Sequence, residues 1–183
     1  MGRKVRSKEA PLHGVTVRPA ELSDCYIVAS NMRQADVAEC WAVAEIPPLE
    51  AVLMGFHLSD ECHTVEVDGE PVALFGVTPP TPGPRPPEDS LPEELPENSF
   101  PLIGFVWLLG TPKIFDISKT FLRWSKDWLK HVGRNYDGLM NYVDARNEVH
   151  IRWLTWVGFD FVVLHPNKGV HGEAFWEFIK LTC

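Results

Sequence analysis

The sequence predicts an α/β domain built around one mixed β-sheet with helices packed against it. Three observations support this prediction. Strand-like and helix-like segments alternate along the chain, as is typical of α/β folds. Two strand-like runs, residues 63–67 and 71–77, flank Asp68-Gly69 and give a clear hairpin signal. Residues 102–109 form a continuous apolar run, which is typical of a central strand buried on both faces.

The N-terminal half of the chain is expected to add a strand and two helices to this hairpin. Residues 14–19 are rich in β-branched side chains and end at a proline, which favours a strand. Ser23 or Asp24 can cap a helix that extends to about residue 44 with a break near its middle, and residues 49–58 have the spacing of a second helix. The side chains expected on the buried side of the first helix are Ile27, Met32, Val37 and Trp41.

The C-terminal half is expected to continue the alternation. A helix capped by Asp116 or Ser118 is predicted to run to about residue 132, and Gly158 can end a helix that begins near residue 148. Strands are predicted at residues 138–143, 159–164 and 175–181. A set of tryptophans is expected to pack in the core or at an interface: Trp107, Trp124, Trp128, Trp153 and Trp156.

The chain of 183 residues has the length of one domain, with a flexible basic arm expected at residues 1–13 and the domain at residues 14–183. About residues 79–99 form an insertion rich in proline and acidic residues, which cannot build a core. We interpret it as a surface spacer, with a docking segment as the alternative. No apolar run approaches the ~18 residues of a membrane span, so none is expected, and no signal peptide is visible.

Charge is distributed unevenly along the chain. Four basic residues and no acidic one lie in residues 1–8, and removing these four charges from the net charge of −8 leaves −12 on the remaining residues. An acidic body argues against a nucleic-acid-binding face, whose affinity comes from neutralising phosphates. Nucleic acid is therefore an expected partner only through the basic arm.

Cysteine spacing gives no sign of a metal site or a disulfide framework. The cysteines form no C-x-x-C pair, and without an export signal we expect reduced thiols. Cys62 and His63 are adjacent, and neighbouring side chains of a strand point to opposite faces, so they are poorly placed to bind one metal. The sequence therefore predicts no metal site. The cysteines are Cys25, Cys40, Cys62 and Cys183.

Residues 142–159, YVDARNEVHIRWLTWVGF, combine a strand-like run with Asn147 and a later Gly-Phe pair. This segment resembles the fifth strand and fourth helix of the GNAT acetyltransferase superfamily, and the order of predicted elements matches that superfamily as well. The resemblance implies a single GNAT-like domain, with a mixed central sheet of about six to seven strands flanked by helices.

Four further segments, EVDGEPVALFGV, WLLGT, FLRWSKDW and NYVDARN, together resemble a narrower family over about residues 30–160. They are similar to small GNAT-like proteins of short-tailed bacteriophages, which are encoded among virion morphogenesis genes and associated with internal virion components and capsid assembly. This resemblance implies other virion or assembly proteins as partners. It also implies a location in the host cytoplasm during assembly, or in the virion.

The GNAT resemblance also implies a site for acetyl-CoA between the fourth and fifth strands. In active members, backbone amides of the fourth strand hold the pantetheine arm, and an Asn at the start of a later helix contacts the cofactor. The matching cofactor-binding positions in this chain are Leu108, Leu109, Gly110 and Asn147. An Asn at the start of a helix is also an ordinary cap, so Asn147 has two interpretations.

The loop after the fourth strand departs from the GNAT pattern. Active members have a glycine-rich loop there, whose amides hold the cofactor pyrophosphate at a helix N-terminus. In this chain no glycine follows Gly110 before residue 118, Pro112 lacks an amide hydrogen, and Asp116 places an anion where another anion should bind. Lys113 compensates in part. The usual way of binding pyrophosphate is therefore expected to be lost.

The acid and base of the transfer reaction are also difficult to assign. Active members commonly have a Tyr that reprotonates the coenzyme A thiolate, and Leu154 takes its place here. His150, one turn earlier, is a titratable substitute, but we interpret it as an exposed helix residue. Four acidic residues lie in segments that could face the substrate groove, and nothing in the sequence selects among them: Asp36, Glu39, Glu45 and Glu66.

These departures predict a non-catalytic GNAT-like protein with no catalytic residues and no cofactor, which uses the fold as a binding scaffold. The alternative is an active N-acetyltransferase that moves acetyl from acetyl-CoA to an amine on a protein or small molecule. A third hypothesis is a phage protein that binds coenzyme A or a host factor without turnover.

Overall fold

Seven strands and five helices lie within residues 14–80 and 101–182, which are the residues that the computed structural model describes. The strands are β1 (Val15–Pro19), β2 (Glu61–Val67), β3 (Glu70–Thr78), β4 (Ile103–Gly110), β5 (Gly138–Asp144), β6 (Asp160–His165) and β7 (Phe175–Leu181). The helices are α1 (Leu22–Ser30), α2 (Gln34–Ala44), α3 (Pro48–Leu58), α4 (Ser118–Val132) and α5 (Glu148–Val157).

The strands form one mixed sheet in the order β1-β2-β3-β4-β5-β7-β6. β4 and β5 run parallel, and each of the other neighbouring pairs is antiparallel. The predicted α/β domain with one mixed sheet is confirmed. The basic arm at residues 1–13 and the insertion from residue 81 onward lie outside the described residues.

The hairpin between β2 and β3 follows directly from its turn residues. Val67 pairs with Glu70, and the two residues between them, Asp68 and Gly69, have φ angles of 52° and 81°. Two successive positive φ angles define the type I′ turn that suits the twist of a hairpin. The prediction from Asp68-Gly69 is therefore confirmed.

The helices pack in two layers, one on each face of the sheet. Helices α1 and α3 contribute Cys25, Val28 and Val52 to a small core that includes Leu74 of β3. Helices α4 and α5 cover a larger core, in which Phe75 is the β3 neighbour of Leu74. Because successive strand residues point to opposite faces, one strand serves both cores.

The helix predicted from residue 23 to about 44 is two helices, α1 and α2, separated at residues 31–33. The expected burial of its apolar side chains is wrong at two positions, since Trp41 is 50% exposed and Ile27 is 38% exposed. Ile27 lies on α1 and Trp41 on α2, so each of the two helices leaves one of these apolar side chains outside the core.

Two predictions for the segment around β4 are also wrong. Residues alternate along β4 between buried and partly exposed, instead of being buried on both faces, because α1 and α3 cover their side of the strand incompletely. Neither Asp116 nor Ser118 caps α4; a short 3₁₀ turn, Pro112–Phe115, precedes it, and Ile117 is the residue at its N-cap. In residues 14–80 and 101–182, no helix is long and apolar enough to cross a membrane.

Candidate functional site

The candidate site lies where β4 and β5 separate. The two strands pair over three residues, from Ile103 with Gly138 to Phe105 with Met140, and then diverge. At the point of divergence, Asn141 Nδ2 donates to the Val106 carbonyl oxygen at 2.8 Å, which closes the inner end of the gap. A cavity of about 360 Å³ occupies the gap and the space on either side of it.

The outer end of β4 is fastened to the first turn of α2. The Gly110 amide donates to Asp36 Oδ2 at 2.9 Å, and the Gly110 carbonyl accepts from the Arg33 amide at 2.9 Å. Arg33 Nε also donates to Asp36 Oδ2, at 2.7 Å. We call these three residues the Gly110 cluster. Asp36 is 2% exposed, and this burial raises the pKa of Asp36 despite the bonds from Arg33 and Gly110.

The hydrogen bonds of Gly110 show which backbone amides of the other predicted cofactor-binding residues of β4 face the gap. Backbone groups of an antiparallel strand alternate between the two edges, and those of Gly110 face the gap rather than β3. Leu109 therefore directs its amide to β3, where it pairs with Leu74, and Leu108 directs its amide to the gap. Of these three residues, Leu108 alone retains an amide for a ligand.

The loop after β4 uses its amides within the fold. Thr111 donates its amide to the Val72 carbonyl at 2.8 Å, and Ile114 and Asp116 donate theirs within the 3₁₀ turn. Pro112 has no amide hydrogen. Lys113, expected to compensate for the missing glycines, forms an exposed ion pair with Glu70.

Asn147 is the cap of α5 and also reaches across the gap. Its Oδ1 accepts from the His150 amide at 3.3 Å, and its Nδ2 donates to Glu39 Oε2 at 3.0 Å. Burial raises the pKa of Glu39 to about 7, because the Asn147 bond only partly offsets the loss of solvent and the charges of Asp36 and Asp144 oppose ionisation. The interpretation of Asn147 as a helix cap is confirmed, and its interpretation as a cofactor-binding residue stays a prediction.

The structure separates the four candidate acidic residues. Asp36 and Glu39 line the cavity. Glu45 lies at the end of α2, where it is exposed and close to His171, and Glu66 lies on β2, paired with Arg18. Sequence reasoning did not single out Arg33, although the three-residue spacing from Arg33 to Asp36 is the signal that could have identified the pair.

Of the two positions considered for a general acid, Leu154 is buried and His150 is half-buried. Leu154 is 3% exposed and belongs to the core around α4 and α5. The expectation that His150 is exposed is wrong, because its ring stacks on Trp153 with the centroids 5.1 Å apart and its Nδ1 is buried. Burial lowers the pKa of His150 to about 3, so the ring is neutral at physiological pH.

Aromatic side chains from α4 and α5 line the cavity on one face of the sheet. Phe121 contacts Trp153 with centroids 5.6 Å apart, and Trp124 stacks on Trp128 at 6.4 Å. The prediction that tryptophans pack in the core is confirmed for Trp128, which is 8% exposed. Trp156 is 46% exposed and lies beneath the ammonium group of Lys126, so it is outside the core, and an interface stays the prediction for this residue.

The described residues hold no group of three or more His, Cys, Asp or Glu side chains placed to bind a metal ion. Cys25, Cys40 and Cys62 are free thiols. Burial raises the pKa of Cys25 to about 11, and that of Cys40 and Cys62 to about 12, so these thiols are protonated at neutral pH.

No protein-family model matches this chain, and no curated protein is similar to it in sequence. Many solved structures share its fold. One is a GNAT-family acetyltransferase from Bacillus anthracis, with a TM-score of 0.60, 12% identity, and coverage of 93% of this chain and 96% of that one. Another is an N-acetyltransferase from Staphylococcus aureus, with a TM-score of 0.62, 12% identity, and coverage of 93% and 99%.

A third similar structure is an acetyltransferase from Salmonella typhimurium with its cofactor acetyl-CoA, with a TM-score of 0.57, 13% identity, and coverage of 93% and 95%. The chain therefore has the GNAT fold. The β4–β5 gap lies between two parallel strands at the centre of the sheet, where the GNAT resemblance of the sequence places a site for acetyl-CoA.

Acetyl-CoA does not fit the residues of this gap in the way that the fold implies. The cofactor pyrophosphate needs free amides and positive charge at the N-terminus of the helix after β4. In this chain the Gly110 amide is bonded to a buried carboxylate, and the amides of Thr111, Ile114 and Asp116 are bonded within the fold. Four of the amides that could contribute to a pyrophosphate site, those of Gly110, Thr111, Ile114 and Asp116, are therefore already paired.

Proposed function

We propose that this protein is a non-catalytic member of the GNAT-fold proteins, which binds partners through the fold instead of transferring acyl groups. The observation that carries the proposal is the bond from the Gly110 amide to Asp36. Because the last amide of β4 donates to an acceptor of the chain itself, it is not free for a ligand.

The charge around Gly110 supports the same conclusion. A pyrophosphate brought to the end of β4 would meet Asp36, and the nearest guanidinium, that of Arg33, is already engaged with this carboxylate. An uncompensated second anion in a buried site costs several kcal/mol, roughly as much as a micromolar ligand gains. Lys113, a cation of the loop after β4, is paired with Glu70.

The missing proton donor adds a second reason. Transfer of an acyl group leaves a coenzyme A thiolate that a general acid must protonate. Leu154 cannot do this, and the neutral His150 ring lies stacked against Trp153. The proposal therefore includes no catalytic residue.

The biological setting that we propose is the short-tailed bacteriophage. It rests on the resemblance of four short segments within about residues 30–160 to GNAT-like virion-morphogenesis proteins, and the partners proposed are other virion or assembly proteins. The test is quantitative mass spectrometry of purified phage particles and of assembly intermediates from the infected host. A constant copy number in either is expected, whereas recovery solely as free protein would contradict the phage role.

The alternative function, an active N-acetyltransferase, is favoured by two specific observations. Glu39, with a pKa of about 7, is suited to accept a proton from an amine, and Arg33 Nη2 is buried without a hydrogen-bond partner among the described residues. The deciding assay is release of thiol from acetyl-CoA in the presence of amine acceptors. Turnover that is lost on Glu39→Gln would establish the enzyme and overturn the non-catalytic proposal.

A further inference from the structure

The outer face of α3 forms an exposed groove that is largely apolar. The inner face of this helix packs on the sheet, where Val52 is fully buried and Gly55 lies against Trp107 of β4. On the outer face, Met54 is 45% exposed and Leu58 is 60% exposed. An exposed apolar patch of this kind, bordered by polar residues, marks an interaction surface. The side chains that line the groove include Leu49, Glu50, Leu53, Met54, His57 and Leu58.

The spacing of the groove residues suits a two-fold contact. Glu50, Leu53, Met54 and His57 occupy positions i, i+3, i+4 and i+7, which lie on one face of a helix. This spacing is the same in both chain directions, so two antiparallel copies of α3 present the same stripe to each other. A two-fold interface needs such a self-complementary surface, because residue i then contacts residue j and residue j contacts residue i.

The chemistry of these four residues selects one register for the contact. With the two-fold axis between Leu53 and Met54, these two apolar side chains lie opposite each other, and Glu50 lies opposite His57 twice. An imidazole N–H donates to a carboxylate whether the ring is neutral or protonated. Moving one helix along the other by a turn would place Glu50 opposite Leu53, or His57 opposite Met54, depending on the direction.

Glu50 and His57 are both available for a second molecule. Both side chains are exposed, and neither forms a hydrogen bond or an ion pair within residues 14–80 and 101–182. By contrast, His131, His165 and His171 each pair with a carboxylate of their own chain, at 3.3, 2.8 and 3.1 Å. Glu50 is about two turns from His57 on the same helix, so the two side chains cannot reach each other within one molecule.

We infer that α3 is the docking surface for α3 of a second copy of this chain, in an antiparallel two-fold homodimer centred between Leu53 and Met54. Leu49 and Leu58 then lie opposite each other at the two ends of the stripe. One helical stripe per copy is at the low end of interface sizes, so we expect a reversible dimer with a dissociation constant of about 10–100 µM. The inference does not depend on the proposed function, since its test measures mass and not activity.

The test is sedimentation equilibrium of the full chain at pH 7.5, at concentrations up to about 500 µM. Glu50→Lys is expected to weaken dimerisation at least about tenfold, because two symmetry-related contacts are lost. The matched control is Glu148→Lys, which makes the same change of charge at an exposed acidic residue in the first turn of α5 and should leave dimerisation unchanged. Unlike Met54 and Leu58, neither Glu50 nor His57 lines the β4–β5 cavity.

An exchange of charges between two variants tests the register. His57→Glu alone places two carboxylates opposite each other twice, so this variant is also expected to dimerise at least about tenfold more weakly than the wild type. In an equimolar mixture of Glu50→Lys and His57→Glu, the introduced lysine faces the introduced glutamate, and the native His57 faces the native Glu50. The mixture is therefore expected to form dimers at least as tightly as the wild type. Circular dichroism confirms that each variant folds.

Three results would overturn the inference. The first is a wild-type chain that is monomeric at every concentration, which would mean that no second copy occupies the groove. The second is dimerisation of the folded Glu50→Lys or His57→Glu protein with the affinity of the wild type, which would place the dimer interface elsewhere. The third is a mixture of the two variants that sediments as monomers, which would exclude the antiparallel register.

Discussion

Two buried aspartates, Asp24 and Asp36, are each 2% exposed and each paired with an arginine, yet their surroundings act on them in opposite directions. Burial alone would raise the pKa of Asp24, but the hydrogen bonds from Arg18, Thr64 and the Glu21 amide together lower it. At Asp36 the two donors do not overcome burial, and the pKa is raised.

The comparison shows which buried charge the fold favours. Asp24 accepts two bonds from Arg18, at 2.7 and 2.9 Å, and a third from Thr64 at 2.6 Å, and so joins β1, α1 and β2. Asp36 has fewer donors, and both of them bond to the same oxygen. Ionising Asp36 therefore costs free energy. Its contribution to the fold is the link that it makes between α2 and the end of β4.

The largest expected effect is that of Asp36→Ala, which removes the acceptor of the Gly110 cluster. Arg33 is almost completely buried, and the substitution leaves its guanidinium without a carboxylate. Breaking a buried pair in this way costs about 3–5 kcal/mol. The measurement is the free energy of unfolding in urea.

A double substitution of this pair distinguishes the lost charge from the lost packing. Replacing both partners with apolar residues, Arg33→Met with Asp36→Leu, is expected to recover most of the stability, because no unpaired charge stays buried. A double variant as unstable as Asp36→Ala would show that the bond to Gly110, and not the unpaired arginine, carries the effect.

Asp24→Ala is expected to be less destabilising, although Asp24 has more hydrogen bonds. The side chain of Arg18 is 30% exposed and keeps its ion pair with Glu66 at 2.7 Å. The substitution therefore leaves the buried Thr64 hydroxyl, and not the arginine, without a partner. We expect a loss of about 2–3 kcal/mol in urea unfolding. A loss larger than that of Asp36→Ala would show that Asp24 contributes more to stability than Asp36 does.

A lowered pKa and a raised pKa also predict opposite effects of acid on the stability of the fold. The lowered pKa of Asp24 gives stability that is present above the unfolded pKa of about 3.9 and is lost as the pH falls through the folded pKa. The pKa of Glu39 is raised, like that of Asp36. The folded state therefore binds the Glu39 proton more tightly than the unfolded state does. Its stabilising effect is complete below about pH 4.3 and is lost as the pH rises through about 7.

Glu39→Gln tests this sign directly, because glutamine keeps the acceptor for Asn147 and removes the titration. The wild type is expected to lose about 2–3 kcal/mol relative to Glu39→Gln between pH 5 and pH 8. Unfolding in urea at several pH values measures the difference. Parallel stability curves for the two proteins would show that Glu39 is already ionised at pH 5.

The smallest expected effect is at Lys113, whose pair with Glu70 is half exposed on both sides. Exposed ion pairs contribute little, so Lys113→Ala should change the free energy of unfolding by less than about 0.5 kcal/mol. A larger loss would show that this exposed pair contributes to the free energy of unfolding as the two buried aspartates do.

The parts of the fold that were predictable from the sequence are those encoded by neighbouring residues. Asp68-Gly69 specifies its turn because glycine and aspartate tolerate positive φ, and Gly158, with φ of 93°, ends α5 as expected. Asn147 was identified as a helix cap for the same local reason.

The parts that were not predictable depend on residues that are distant in sequence. Gly110 and Asp36 are separated by 74 positions, and Asn147 and Glu39 by 108, so no local pattern reports either contact. The exposure of Trp41 and the partial burial of His150 depend in the same way on where α2 and α5 pack. Hydrophobicity identified the core elements but not which of their faces the neighbouring helices cover.

The most direct test of the central claim is isothermal titration of the purified protein with acetyl-CoA and with free coenzyme A, using an active GNAT enzyme as the positive control. Because the amides of Gly110 and Thr111 and the guanidinium of Arg33 are already paired at the end of β4, we expect no binding of either compound up to hundreds of micromolar. Binding of acetyl-CoA at low micromolar concentration, weakened by Asn147→Ala, would contradict the account and favour the acyltransferase.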